Sequence, residues 1–241
     1  MAVTTGFTLS ISSGGSHGSA LQVNVTGLSF VGIDEEYRET QVIGVAAPLQ
    51  PVCTPGTGGS MAAGNYLVKT TYVDAPQGES LPSPESTSQT VASSGTLEVN
   101  SPAASGSAQF YNVYITAAGG ASGTETLQNA TPIAIGTNYT QSAAVSAGAA
   151  LPVTNTTLTF APDIPEKPAQ VVYLRNVSPS SQVVSASWTK QGGTSQPVLD
   201  LVVNAAIAFL EPTAGAQQGG ITALSLVASA PLAAVEYLLA G

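Results

Sequence analysis

Polar and apolar residues alternate along most of the chain with a period of two. Leu21-Gln-Val-Asn-Val25, Tyr66-Leu-Val-Lys-Thr-Thr-Tyr-Val73, Phe110-Tyr-Asn-Val-Tyr-Ile115 and Val183-Val-Ser-Ala-Ser-Trp-Thr189 follow it, as do Ile221-Thr-Ala-Leu-Ser-Leu-Val227 and Val235-Glu-Tyr-Leu-Leu239. Successive side chains of an extended strand point to opposite faces, so in such stretches alternate side chains face a core while Thr, Ser, Gln or Asn between them faces water or a neighbour. Val42-Ile43-Gly-Val45 and Val171-Val-Tyr-Leu174 read as further strands. With 25 Gly and 16 Pro, few windows are long enough for a helix. Only Leu199 to Leu210 could be argued helical, and its β-branched Val202, Val203 and Ile207 suit a strand pair turning near Asn204-Ala205 at least as well. The pattern predicts an all-β fold.

Two stretches interrupt the rhythm. Pro48 to Met61 is rich in Pro and Gly and carries no strand pattern, and Ser142 to Pro152 is a run of small residues. Both read as linkers. Between them lie about 90 residues with short strands at roughly 8–12-residue spacing, the size of one β-sandwich module. Residues 1–20 read as an N-terminal arm, 60–155 as the middle β-sandwich, and 21–47 plus 156–241 as a second β-sandwich or jelly-roll-like module. The middle module is then inserted between two strands of the outer one, an arrangement that surface loops tolerate. A tandem of arm, middle module and C-terminal sandwich is the alternative.

Charge narrows the function. Fourteen acidic residues face five basic ones, for a formal net charge of −9, and the isoelectric point is near 4.2. Nothing here neutralises a run of phosphates, so no nucleic-acid partner is expected. No apolar run reaches the ~18 residues of a membrane span, and no membrane partner is expected either. The first residues, Met-Ala-Val-Thr-Thr-Gly, lack the basic start and apolar stretch of a signal peptide. The single Cys53 excludes an intrachain disulfide framework and any zinc site built on several thiolates.

Candidate chemistry is sparse. Gly14-Gly-Ser16-His-Gly18 fits the G-x-S-x-G pattern of a hydrolase nucleophile, but the only His is the neighbour of the serine itself. Consecutive side chains diverge, so His17 is badly placed to act as base for Ser16, and the segment reads as a turn. Asp34, Glu35, Glu36 and Glu39, with Arg38 between, lack the alternating ligand spacing of a calcium loop and read as a solvated turn between strands ending at Val31 and beginning near Thr40. Sequons at Asn24, Asn129, Asn138, Asn155 and Asn176 arise readily in a Thr- and Ser-rich chain and imply no glycan without a secretory signal. Cys53 reads as a free structural thiol. Arg38, Lys69, Lys167, Arg175 and Lys190 are too scattered to form a basic patch. No catalytic residue, metal site or cofactor site is expected.

The stretch Ala63-Gly-Asn-Tyr66-Leu-Val-Lys-Thr-Thr-Tyr72-Val-Asp-Ala-Pro-Gln-Gly78-Glu-Ser80-Leu-Pro-Ser83, with Phe110-Tyr111-Asn-Val113-Tyr114-Ile115 and the exit Leu151-Pro152, resembles the fibronectin-III-like modules of bacteriophage virion proteins. Residues 172–183, Gln196-Pro-Val-Leu199, Ala208-Phe209-Leu210, Ile221-Thr-Ala-Leu224 and Val235-Glu236-Tyr237-Leu-Leu239 are similar to a second phage structural β domain. That pattern usually has a Pro-Gly turn before its aromatic strand, where this chain has Val202-Val-Asn-Ala205. The resemblance implies a virion structural protein: a β-sandwich spacer or contact surface without catalytic residues.

On that footing the expected function is a non-enzymatic capsid decoration, or cement, protein on the outer head surface. It is expected to work as a homo-oligomer, a trimer, bound to the major capsid protein or other virion proteins, in particles assembled in the bacterial host cytoplasm. Two alternatives stand beside it: a tail, baseplate or fibre-associated subunit, and a middle module that binds host surface glycans.

Overall fold

A computed structural model describes residues 7–11, 21–25, 36–75, 78–162, 164, 168–169, 171–193, 195–196, 198–210 and 220–240. The chain is all-β, in several antiparallel sheets. β1 (Phe7–Ile11) and β2 (Leu21–Val25) pair with one another. β3 (Glu36–Ile43) opens the main body.

The middle segment contributes β4 (Cys53–Met61), β5 (Gly64–Tyr66), β6 (Val68–Asp74), β7 (Gly78–Glu79), β8 (Gln89–Val91), β9 (Gly95–Val99), β10 (Phe110–Ile115), β11 (Thr126–Leu127), β12 (Ile133–Ala134) and β13 (Tyr139–Gln141). One sheet runs β11-β10-β6-β7, with β12 also on β10; a second runs β13-β9-β4, and β5 pairs with β8. Met61, Tyr66, Val68, Val91, Leu97, Val99, Tyr111, Val113 and Ile115 fill the core of this segment.

A short 3-10 turn (Thr156–Leu158) leads to β14 (Thr159–Phe160), β15 (Val171–Asn176), β16 (Val184–Lys190), β17 (Leu199–Leu201), β18 (Ala206–Leu210), β19 (Ile221–Ala228) and β20 (Ala233–Ala240). These form a sheet β14-β19-β16-β17 and a sheet β18-β15-β20-β3. In β20 the period of two is literal: Ala233, Val235, Tyr237 and Leu239 are buried and the residues between them are not. They share a core with Val172, Leu174, Val184, Ala186, Leu224, Leu226 and, from the other end of the chain, Ile43. β3 pairs with β20 from Glu36↔Ala240 to Ile43↔Ala233, so a strand that precedes the middle segment completes a sheet made by the residues that follow it.

Three sequence expectations are corrected. Pro48 to Met61 is not strand-free, because β4 occupies Cys53–Met61 and pairs with β9. Pro55 is tolerated there because β4 is the last strand of its sheet, where a missing backbone N–H need not break the ladder; pairing, not propensity, makes the strand. The 34–39 acidic stretch is not a turn throughout, since β3 already begins at Glu36. Leu199–Leu210 is two strands, not a helix, and the chain does turn at Asn204 (φ 64°). The two strands do not pair with each other, however: β17 joins β16 and β18 joins β15, so the turn carries the chain from one sheet to the other.

One edge is closed in an unusual way. After β7 the chain runs Ser80-Leu-Pro-Ser83-Pro-Glu-Ser86 alongside β6. Ser80 N donates to Tyr72 O (2.9 Å), Ser83 N to Thr70 O (2.8 Å) and Ser86 N to Val68 O (2.9 Å). In return the amides of Tyr72, Thr70 and Val68 donate to the Oγ of Ser80, Ser83 and Ser86 at 2.9, 3.0 and 3.0 Å. Three residues of the serine segment thus match two of the strand. A Pro-containing stretch cannot offer a regular ladder, and the serine hydroxyls replace the carbonyls that a paired strand would present.

Candidate functional site

The polar side chains of the middle segment converge on Glu79. Its Oε1 accepts hydrogen bonds from the Thr71 hydroxyl, from Asn112 Nδ2 (2.9 Å) and from Tyr114 Oη (2.8 Å). Asn112 passes the network on, its Oδ1 accepting from Asn129 Nδ2 (2.8 Å), while Asn129 Oδ1 accepts from the Val113 amide (2.8 Å). Burial, and then the Glu79 carboxylate, push the Tyr114 phenol well above its ordinary range, so it stays a neutral donor. Burial also pushes Tyr111 up to about 12. Thr156 reaches the same turn, its Oγ1 accepting from the Glu79 amide at 2.8 Å.

A second cluster lies near the serine segment. Lys69 Nζ stands 3.6 Å from Glu125 Oε1 and 3.9 Å from Glu85 Oε2. The Glu125 side chain is fully buried, and those of Lys69 and Glu85 are 17% and 24% exposed. Burial raises the Glu125 carboxyl above the usual carboxylate range. The Ser122 hydroxyl, and after it the neighbouring Glu125 carboxyl and Lys69, hold Glu85 below it.

Four of the five sequons are structural, and Asn24 is placed only as backbone of β2. At Asn176-Val-Ser178 the asparagine Oδ1 accepts from both the amide (3.0 Å) and the hydroxyl (2.6 Å) of Ser178, and Nδ2 donates to Leu201 O (2.8 Å) and Gln182 O (2.9 Å). Ser178 Oγ in turn accepts from the Ala234 amide at 2.9 Å. Asn155-Thr-Thr157 repeats the device: Oδ1 accepts from the Thr157 amide (3.1 Å) and hydroxyl (2.6 Å), Nδ2 donates to Val45 O (2.9 Å), and the Val45 amide donates to Thr157 Oγ1 (2.8 Å). Asn129 is buried in the Glu79 network. Asn138, at the surface, accepts from the Ser101 amide (3.0 Å) and donates to Glu98 (3.1 Å). The short polar side chains that favour turns here stitch distant segments together.

The other sequence candidates are scattered. Ser16, His17, Asp34, Glu35 and Lys167 lie outside the described residues, and Glu36, Arg38 and Glu39 are placed only as backbone of β3. Cys53 is a free thiol at the start of β4, packed against the middle core, and burial pushes its pKa up to about 12. Arg175 pairs with Glu236 at 3.6 Å across β15 and β20. Among the described residues no three His, Cys, Asp or Glu side chains are grouped closely enough to hold a metal ion. No helix among them is long and apolar enough to cross a membrane.

Sequence reasoning missed the Lys69 cluster and the serine segment. Their signals were present as a lysine set among Val, Thr and Tyr in its strand and as serines spaced by three between prolines. No protein-family model matches the chain, and no curated protein matches it.

Proposed function

We propose that this is a non-enzymatic structural subunit of a bacteriophage particle, a decoration protein that binds the outer head surface as a trimer and bridges its shell proteins. In this reading the outer module, 21–47 plus 156–241, docks, and the middle module, 60–155, projects. The observation that supports it best is where the chain spends its polar side chains. Asn129, Asn155, Asn176, Ser80, Ser83 and Ser86 are committed to internal bonds that stitch strands and loops. A particle component has to hold its shape outside a cell, and saturating buried polar groups serves that need. Leu49 and Val153, 84% and 90% exposed, flank the Val45–Asn155 clasp and offer apolar surface for a contact. With 8% charged residues, interfaces of this chain depend little on salt.

The test is to prepare particles with and without the protein and heat them. Genome release at a lower temperature from the particles that lack it is the expected result; an unchanged release temperature rejects cementing. Copy number then separates head from tail: staining in proportion to the major capsid protein supports the decoration role, and a few copies per particle moves the subunit to the tail.

A further inference from the structure

Lys69, Glu85 and Glu125 form a triad that the structural role above leaves unused. Lys69 sits on β6 amid apolar and hydroxyl neighbours; Glu85 comes from the serine segment and Glu125 from the chain just before β11. Neither carboxyl oxygen of Glu125 has a hydrogen-bond partner among the described residues, and the closest cation is Lys69 Nζ at 3.6 Å. A fully buried carboxyl without hydrogen bonds is costly. Geometry holds the amine 3.6 Å from an oxygen of one carboxyl, with the second carboxyl alongside at 3.9 Å.

We propose that Lys69 and Glu125 become joined after folding by an amide bond between Nζ and Cδ, with Glu85 as the proton acceptor. Glu85, the more acidic of the two carboxyls, takes a proton from the Lys69 ammonium. The neutral amine attacks Cδ of Glu125, whose carboxyl burial biases toward the acid form. The new N–C bond forms and the C–O bond to the hydroxyl breaks. The hydroxyl leaves with a second proton from nitrogen as one water molecule. Ammonium, carboxylate and carboxylic acid thereby become amide, carboxylic acid and water, with no oxidant, metal or activated donor consumed. The product replaces a buried charge and an unbonded carboxyl with a neutral amide, and it staples β6 to the β10–β11 connection, 56 residues on.

The full-length protein, denatured after incubation to constant mass, is expected to weigh one water molecule less than its sequence. Trypsin is expected to leave residues 39–175 as one fragment, because an acylated Lys69 is not cleaved and Lys167 precedes a proline. The K69R and E125A chains are expected at full mass, and K69R is expected to yield separate 39–69 and 70–175 fragments. E85Q is expected to lose water more slowly at the same site. A wild-type mass equal to that of the sequence overturns the proposal, as does a water loss that persists in K69R. Loss at the wild-type rate in E85Q removes the role given to Glu85. Mass and fragment pattern are read on unfolded material, so poor folding of one variant leaves the wild-type result decisive.

Discussion

Ser83 and Thr70 exchange two hydrogen bonds across the edge of the middle sheet, the Ser83 amide donating to Thr70 O at 2.8 Å and the Thr70 amide to Ser83 Oγ at 3.0 Å. Both residues are buried. Replacing Ser83 with Ala keeps the first bond and orphans the Thr70 amide where water does not reach. The expected cost is about 1–3 kcal/mol, the usual range for a buried donor left unsatisfied. Chemical denaturation measures it, and hydrogen exchange at the Thr70 amide is expected to accelerate while exchange across β20 does not.

Asn176 has every side-chain hydrogen-bonding atom engaged and no exposed surface. Asn176→Asp preserves shape but turns a donor group toward two carbonyls into an acceptor, and it buries a charge beside them. Several bonds change at once, so the loss is expected to exceed that of Ser83→Ala, at roughly 3 kcal/mol or more. By contrast Arg175→Ala removes an ion pair whose members are 43% and 31% exposed, and it is expected to move stability by less than about 1 kcal/mol. Thermal or urea unfolding of both variants checks the contrast; equal effects would contradict it.

The Cys53 thiol, held up to about 12 by burial, is almost entirely protonated at neutral pH. Only the thiolate alkylates, so the folded protein at pH 8 is expected to react with iodoacetamide far more slowly than the unfolded chain, whose thiol ionises near 9.0. The sign for stability follows. A folded-state pKa raised above the unfolded value gives stability that is complete below pH 9 and declines as pH climbs from 9 toward 12. The labelling rate is the cleaner readout, because Tyr66, Tyr72, Tyr111, Tyr114 and Tyr139 are also pushed upward and contribute to the same alkaline decline.

Strands whose own residues alternate, such as β20, β10 and β16, were legible in the sequence because the signal is local: each carries its own apolar face. β4 was not. Its Cys-Thr-Pro-Gly-Thr-Gly-Gly-Ser-Met sequence has no alternation and becomes a strand only because β9 lies beside it. The turn at Asn204 was visible, but the sheet to which each flanking strand belongs is a long-range property. Cys53 was legible as a free thiol and not as a half-buried one packed on the middle core. Asn155 and Asn176 stood out as sequons, yet the second half of each clasp, Val45 or Leu201, lies far away in sequence. The Lys69 triad gathers residues from positions 69, 85 and 125, and no spacing rule connects them.

Gly44 stands where β3 hands over to the middle segment, and two independent reasons require glycine there. Its φ is +85°, and an added Cβ would lie 2.8 Å from Leu158 Cδ2 and 2.9 Å from Pro231 Cα. Gly119, at φ +70°, has open space around it. Alanine at 119 therefore meets only the backbone penalty, about 1 kcal/mol, while alanine at 44 adds an overpacking cost of about 1–3 kcal/mol. Unfolding curves for the two variants measure the difference. Near-equal losses would mean that Leu158 and Pro231 yield without cost and that the contact at Gly44 is soft.

The two core clusters share no residue, and the ends of the middle segment are held together by the bonds between Val45 and Asn155–Thr157. Those bonds place Val45 O 2.9 Å from Asn155 Nδ2, so a short flexible loop can span the gap if the middle segment is excised. A chain in which a few Gly and Ser residues join position 47 to position 154 is expected to keep the β3–β20 ladder, because every partner of that ladder and every member of its core remains. Slow amide exchange across Ala233–Ala240 would report the ladder. Rapid exchange there, in a chain that is still soluble, would mean that β3 needs the middle segment to hold its place and that the insertion arrangement is wrong as a physical unit.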